Sequence, residues 1–413
     1  MENALPDNTK GDSSVRTRRD PNPGPTLVNE VVIFMQGTST STAGSIEQAN
    51  MAAAVRFIEG FNSDDWDAVR EVVAPDFVFH HPLGGTVEAG PEGMVATWAG
   101  FKVLSPDSWH PIPVMIAEGD YVAVLLPTYG HFTGVADMAP PPTGGRLDYG
   151  MVNMVRVDDG RLAEMWFGMD PLIEMQQMGV APPLPPIELN PSESDNLRAF
   201  YAASDIPDTE FDHVTASGDL VVAFNPPQYE QGTSTRRVEV YRFADAAMNP
   251  VYSHEIATTP PYSGDPSVDT ASSRAIVDRW FGDVLNGHDM AVLAEVASPN
   301  ILIHPTAMPC EATYVGLAGA VRWLEGQWGA FSDLSILDYS TVASSDIVAA
   351  RWSARGTSSG QFLMLPPTGE KVEYTGVSMY RVEDGRIAEI WETRNTIGIM
   401  HQLNPQIGEL RAH

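Results

Sequence analysis

The residues with the most chemistry to offer occur in matched pairs. Asp148 and Glu373 each lie five residues after the threonine of a Pro-Pro-Thr-Gly stretch, at the start of a long predicted strand. A carboxylate can take a proton from the carbon beside a carbonyl and later return it, provided that loss of water raises its pKa toward neutrality. The plainer alternative is an exposed strand-end acid in a chain full of acids. His80 and His304 each close a predicted strand just ahead of Pro82 or Pro305. One histidine per place can meet a ligand or simply bond to backbone. Glu164 and Glu389 stand two residues before Trp166 and Trp391, so each acid shares a sheet face with its indole. Trp98, Trp109, Trp323 and Trp328 are candidates to line a cavity or to pack a core.

Other chemistries lack their residues. There is no His-Glu-x-x-His and no paired Cys/His spacing, so no metal is expected. His80 and His81 are adjacent, which on a strand sends them to opposite faces. No glycine-rich phosphate loop and no Gly-x-Ser-x-Gly elbow occur, and no cofactor is expected. Cys310 is the only cysteine, which excludes an intrachain disulfide.

The chain of 413 residues holds 54 Asp and Glu against 24 Lys and Arg, a formal charge of -30. Such a surface repels phosphate backbones and anionic lipid, so a small molecule is the expected partner rather than nucleic acid or membrane. Lysine occurs only at Lys10, Lys102 and Lys371. This composition suits a salty cytoplasm, where salt screens self-repulsion. A GC-rich genome would explain the arginine bias but not the carboxylate excess. No apolar run approaches the roughly 18 residues of a membrane span. Met1 to Pro25 carries acids and no apolar stretch, and Val31 to Met35 is too short for a secretory signal, so a cytoplasmic location is expected by default.

A repeat organises the elements that must position these residues. Asn62, Glu71, Pro75 and His80 match Asn286, Glu295, Pro299 and His304, each pair 224 apart. The stretch PPTGGRLDYGMVNMVRVDDGRLAEMW from Pro141 matches PPTGEKVEYTGVSMYRVEDGRIAEIW from Pro366 at an offset of 225. So small a drift means a duplicated domain. Between the copies, Gly218–Ala223 resembles Gly119–Val124, and Val238–Phe243 resembles Ser378–Val382. This reads as a degenerate partial copy: two or three strands without the helical half, packed on a neighbour, or else a linker that happens to contain strands. The expected division is a disordered tail over 1–45, a first domain over 46–186, the partial repeat with proline-rich linkers over 187–265, and a second domain over 266–413.

Within each copy the apolar spacing predicts a helix (Ala52–Glu59; Ser273–Leu285) and then a shorter one (Asp67–Val73; Met290–Ala297), ended by Pro75 or Pro299. Strands follow at Phe77–His80, Val114–Ala117, Tyr121–Leu126, Leu147–Arg156 and Ala163–Phe167, with Asp159–Gly160 and Asp384–Gly385 as hairpin turns. Helices followed by an antiparallel meander make an α+β fold.

The succession N-x-x-D, P-D/N-x-x-x-H, G-D-x-V-A, P-P-T-G and R-V-x-D-G-R-I/L-A-E-x-W resembles the SnoaL-like polyketide cyclases, many of them classed as ester cyclases, in the nuclear-transport-factor-2-like superfamily. The resemblance covers about residues 46–180 and 270–408. It implies tandem cone-shaped domains, each a curved antiparallel sheet wrapped by its N-terminal helices around a pocket. It implies an acid that drives intramolecular aldol closure without metal or cofactor, and places that acid at Asp148 and Glu373. The family carries a Gly-Thr-His-Thr-Gly segment; its histidine position is Phe132 in one copy and Ser358 in the other, with His131 displaced by one residue. The resemblance sets His80 and His304 at the pocket mouth, and Asp170, matched by Asn395, as a second carboxylate of the first copy. An aldol-type cyclisation or isomerisation is the expected activity. A non-catalytic binding protein and an epoxide-hydrolase-like enzyme are the alternatives, the last requiring a pocket Asp–Arg–Asp cluster for which Arg146 and Asp148 are generic candidates. The first copy has more titratable groups and is expected to carry any activity. The two copies could pair within one chain, or the chain could form a homo-oligomer.

Overall fold

A computed structural model of the chain describes residues 42–83, 85–136, 139–183, 188–203, 211–226, 228–230, 233–244, 247–257, 261–306 and 313–405. Cys310 and most of the expected N-terminal tail lie outside the described residues.

The first copy runs α1 (Thr42–Asn62), α2 (Trp66–Val72), β1 (Val73–His81), β2 (Gly85–Glu88), α3 (Gly90–Leu104), β3 (Val114–Glu118), β4 (Tyr121–His131), β5 (Arg146–Asp158), β6 (Arg161–Trp166) and α4 (Pro171–Gln177). Its sheet has the order β2-β1-β6-β5-β4-β3, antiparallel except where β1 meets β6. The middle segment holds α5 (Pro191–Ala203), β7 (His213–Ser217), β8 (Leu220–Phe224), β9 (Gln228–Glu230), β10 (Thr233–Ala244) and β11 (Ala247–Ala257). The second copy holds α6 (Thr270–Arg279) with a π-helical continuation (Trp280–Asn286), α7 (Met290–Val296), β12 (Ala297–His304), β13 (Tyr314–Val315), α8 (Gly316–Ala330), β14 (Ser335–Ser344), β15 (Ile347–Thr357), β16 (Lys371–Glu383), β17 (Arg386–Arg394) and α9 (Thr396–Leu403). Its sheet order, β13-β12-β17-β16-β15-β14, repeats that of the first. The α+β class and the tandem curved sheets are as expected.

Matched residues set matched local structure. Asp65 accepts the Ala68 N–H and starts α2; Asp289 accepts those of Ala291 and Val292 and starts α7. Asp159–Gly160 and Asp384–Gly385 turn with φ of 48°, 73°, 51° and 70°, the left-handed pair of a tight hairpin. Pro75 and Pro299 do not end the helices directly. They fall in the register shift that opens β1 and β12, where a missing N–H costs no ladder bond.

Each sheet buries both faces. The inner face of the first, with Leu147, Tyr149, Met151 and Val155, packs on α1 to α3. The outer faces of the two sheets meet each other, Val114, Ile116, Leu125, Val152 and Met154 against Val342, Ile347, Ala349, Met379 and Trp391. The two copies thus pair within the chain.

The middle segment has more than the two or three strands expected, and it keeps a helix. Nine residues separate α5 from β7 (204–212), as nine separate α3 from β3 (105–113). Its strands run β11-β10-β8-β7. Its strand order follows that of β6-β5-β4-β3 in the first copy, and among the described residues it has no counterpart of α1, α2 or β1. Helix α5 covers one face through Phe200. The other face, with Leu220, Val222, Phe224, Val238 and Val240, packs on Leu302 and Val315 of the second copy. On the first copy the place of Val315 is held by Glu88, and the whole of β2 is exposed. A charge there suits a face that no sheet covers.

Candidate functional site

The interior of the second cone gathers a set of polar groups that the sequence reading passed over. Glu392 and Arg394 lie two apart on β17 and share its inward face with Ile390. Ser378, Tyr374 and Tyr380 face them from β16, and Trp352 from β15. A Cβ at Gly376 would stand 2.2 Å from Cζ2 of Trp352, so glycine there lets the indole lie across the strand. The Trp352 Nε1–H donates to Ser378 Oγ at 2.9 Å, and the Ser378 hydroxyl points on to Glu392 Oε2 at 3.5 Å. Glu392 is 6% exposed. Burial pushes its carboxyl up to about 7, against the pull of Arg394 and Ser378. Burial likewise pushes Tyr374 up to about 12 and raises Tyr380. The Arg394 guanidinium lies 5.9 Å over the Phe362 ring and donates to Gln327 Oε1. Among the described residues it makes no ion pair within 4.0 Å. Trp323, stacked on Trp280 at 6.1 Å, has a buried Nε1–H that finds no partner among the described residues.

The first cone is built differently at the same positions. Phe167 and Met169 stand for Glu392 and Arg394, Leu126 for Trp352 and Asn153 for Ser378. The cavity by Trp98 and Asn153 has room for about one water molecule. Among the described residues Trp98 Nε1 and His110 Nε2 are buried without a partner, while other polar groups there are paired. His110 Nδ1 lies 3.1 Å from Pro127 O and from Thr128 Oγ1, and Tyr149 donates to Glu174 Oε1 at 3.0 Å. Burial holds His110 down at about 3, so it is neutral. The cavity lies in the first cone, and Phe132 packs into the interior of that cone.

Most of the residues singled out from the sequence lie outside the cones. Asp148 points to the outer side of its sheet, opposite Tyr149. Arg146 donates to it at 2.8 Å and to Asp212 at 2.9 Å, and the buried Arg236 reaches it at 3.5 Å. Burial raises Asp148, opposed by Arg236 and Arg146. An Asp–Arg–Asp cluster does exist, but it joins β5 to the middle sheet instead of lining a pocket. Asp148, Asp212 and His213 bring ligand atoms within 4.8 Å of one another; the two arginines already neutralise both carboxylates there. Glu373 is exposed, and its backbone is bonded by the side chain of Gln402. His131 is exposed and paired with Asp107 at 2.8 Å. Ser358 is buried, its hydroxyl accepting Thr368 N–H within a turn.

His80 and His304 do not face the pocket mouths. Each lies on the outer sheet face in the same arrangement. His80 bridges Thr86 and Glu164, both at 2.8 Å, and stacks 5.2 Å from Trp166. His304 bridges Thr313 and Glu389, both at 3.0 Å, and stacks 6.2 Å from Trp391. The middle sheet seals the second arrangement, with Phe224 6.1 Å from His304, while Trp166 is capped by Arg351 at 4.5 Å. Asp170 is buried at the boundary between the copies, where it caps α4 and accepts the Thr396 hydroxyl. Trp98 alone of the expected binding set lines a cone cavity. Glu392 had one signal in the sequence: a charged pair, Glu392 and Arg394, replaces the apolar Phe167 and Met169 of the matched strand.

Curved sheets wrapped by helices around an interior that holds a buried acid make a tandem cone fold. The SnoaL-like polyketide cyclase profile matches residues 52–178 and 275–403, and the chain belongs to that family. Among solved structures, IdmH of Streptomyces antibioticus is 31% identical over 32% of this chain and 97% of its own, with a TM-score of 0.28. AclR of Streptomyces galilaeus is 26% identical over 33% of this chain and 83% of its own, with a TM-score of 0.30. TsrD of Streptomyces laurentii is 23% identical over 33% and 98%, with a TM-score of 0.30. No curated protein matches the chain. No helix among the described residues is long and apolar enough to cross a membrane.

Proposed function

We propose that the second cone is a proton-transfer site for a small carbonyl-bearing molecule, with Glu392 as the acid–base group and ring closure or isomerisation as the outcome. The observation that carries this reading is a carboxyl buried inside the second cone beside the Trp352–Ser378 pair, where burial pushes it up to about 7. Such a group is partly ionised near neutral pH, so it can take a proton and give it back. Trp352 and Ser378 hold the carboxyl in place through their relay. Arg394, two residues along the same face of β17, is the donor offered to an enolate oxygen, in surroundings where such bonds are strong.

The test is solvent-deuterium exchange at the α-carbon of small aromatic ketones, beginning with 2-tetralone. Glu392→Gln keeps the shape and removes the base, and should slow exchange on the order of a hundredfold or more. An unchanged rate in that variant, or tight binding with no exchange in the native chain, would replace this reading with that of a binding protein. The absence of a histidine at Phe132 and Ser358 is what keeps the binding protein as the second reading.

A further inference from the structure

Asp170 is buried beside the second cone, although it belongs to the first copy. Its Oδ1 accepts the Leu172 N–H at 3.1 Å. Its Oδ2 accepts the hydroxyl of Thr396, which opens α9 two residues after Arg394. The residues flanking Arg394 are held by the first copy as well. Asn395 donates through Nδ2 to the Pro82 carbonyl at 2.8 Å. Thr393 is packed against Gly168, where a Cβ would stand 2.8 Å from Thr393 Oγ1 and 2.0 Å from Val152 O. The strand end that carries Glu392 and Arg394 is therefore fastened on both sides by the first copy. The Arg394 guanidinium lies within electrostatic reach of two buried carboxylates, Glu392 inside the cone and Asp170 across the boundary.

We propose that Asp170 is a positioning residue for the second-cone site: the first copy supplies the carboxylate that anchors the end of β17 and shares Arg394 with Glu392, so the two copies build one site together. This rests on Glu392 being the proton-transfer group. The matched position in the second copy is Asn395, which caps α9 through Gly398 N–H at 2.8 Å, so the junction holds one carboxylate and not two. The groups facing Asp170 are Arg394 from β17, Thr396 from α9 and the Leu172 backbone from α4. Burial pushes Asp170 up to about 6, so at neutral pH it is largely ionised. The same guanidinium favours both anions, and an ionised Asp170 raises the cost of a second anion nearby. Removing that charge should let Glu392 ionise more easily.

The experiment is a ¹³C NMR titration of the full-length chain labelled at glutamate Cδ, with Glu392→Gln identifying the resonance. Asp170→Asn should move the Glu392 midpoint downward by on the order of half a unit or more and slow 2-tetralone exchange on the order of tenfold. Thr396→Val removes the anchoring hydroxyl and leaves the charge; it should slow exchange, and Thr396→Ser should restore it. If Asp170→Asn does not fold, the Thr396 pair decides. A Glu392 midpoint and an exchange rate unmoved by both variants would overturn the proposal, as would a fall in melting temperature with the midpoint unchanged. Loss of exchange in Glu392→Gln with none in Asp170→Asn would leave the acid–base site standing and remove only the positioning role. Full exchange in Glu392→Gln would remove both.

Discussion

Glu392 should make the protein less stable at the pH where it works. Its carboxyl titrates near 7 in the folded chain and at 4.5 as an ordinary glutamate, a rise of 2.5 (7 − 4.5). At roughly 1.36 kcal/mol per pKa unit this amounts to about 3 kcal/mol. The direction follows from proton counting. Below pH 4.5 the group is protonated in both states and contributes nothing to the pH dependence. Between 4.5 and 7 the unfolded chain releases the proton while the folded chain keeps it, so stability falls as pH rises. Above 7 the folded group ionises too, and the loss levels off at its full value. Glu392→Gln cannot ionise and escapes this loss. Denaturant unfolding of the native chain and the variant, followed by near-ultraviolet circular dichroism across this range, measures the gap between them. The gap should open by about 3 kcal/mol between acid and mildly alkaline pH, in favour of the variant, while proton exchange is lost. A gap that stays constant with pH would show that Glu392 titrates as an ordinary glutamate, and the argument for it as a base would go with it.

Two further outcomes follow from where the other acids lie. Asp148→Asn leaves Arg236 buried beside one carboxylate fewer and should destabilise the joint between the first copy and the middle sheet by roughly 1–3 kcal/mol, without slowing exchange in the second cone. Glu373→Gln, on an exposed side chain, should change stability by no more than about 0.5 kcal/mol. An exchange rate that collapsed with Asp148→Asn while the fold held would return the chemistry to that residue. The charge of -30 predicts a melting temperature that climbs with potassium chloride as repulsion is screened, and a flat response would assign the composition to codon bias instead.

The duplication, the α+β class and the hairpins at Asp159–Gly160 and Asp384–Gly385 were legible in the sequence because they rest on local chemistry. A turn with positive φ selects its residues whatever surrounds it, and a helix cap such as Asp65 or Asp289 bonds to its own next turn. The site was not legible in this way. Alternation along β5 and β17 shows which residues share a face, but both faces of each sheet are buried, one in the cone and one against a neighbouring sheet. Apolar pattern therefore could not say which face was inside, and Asp148, His80 and His304 were assigned to the wrong side. Only the pairing of the two cones and the docking of the middle sheet decided that Trp391 turns outward and Glu392 inward, because contact between distant segments determines which face of a strand loses its water to a pocket and which to another sheet.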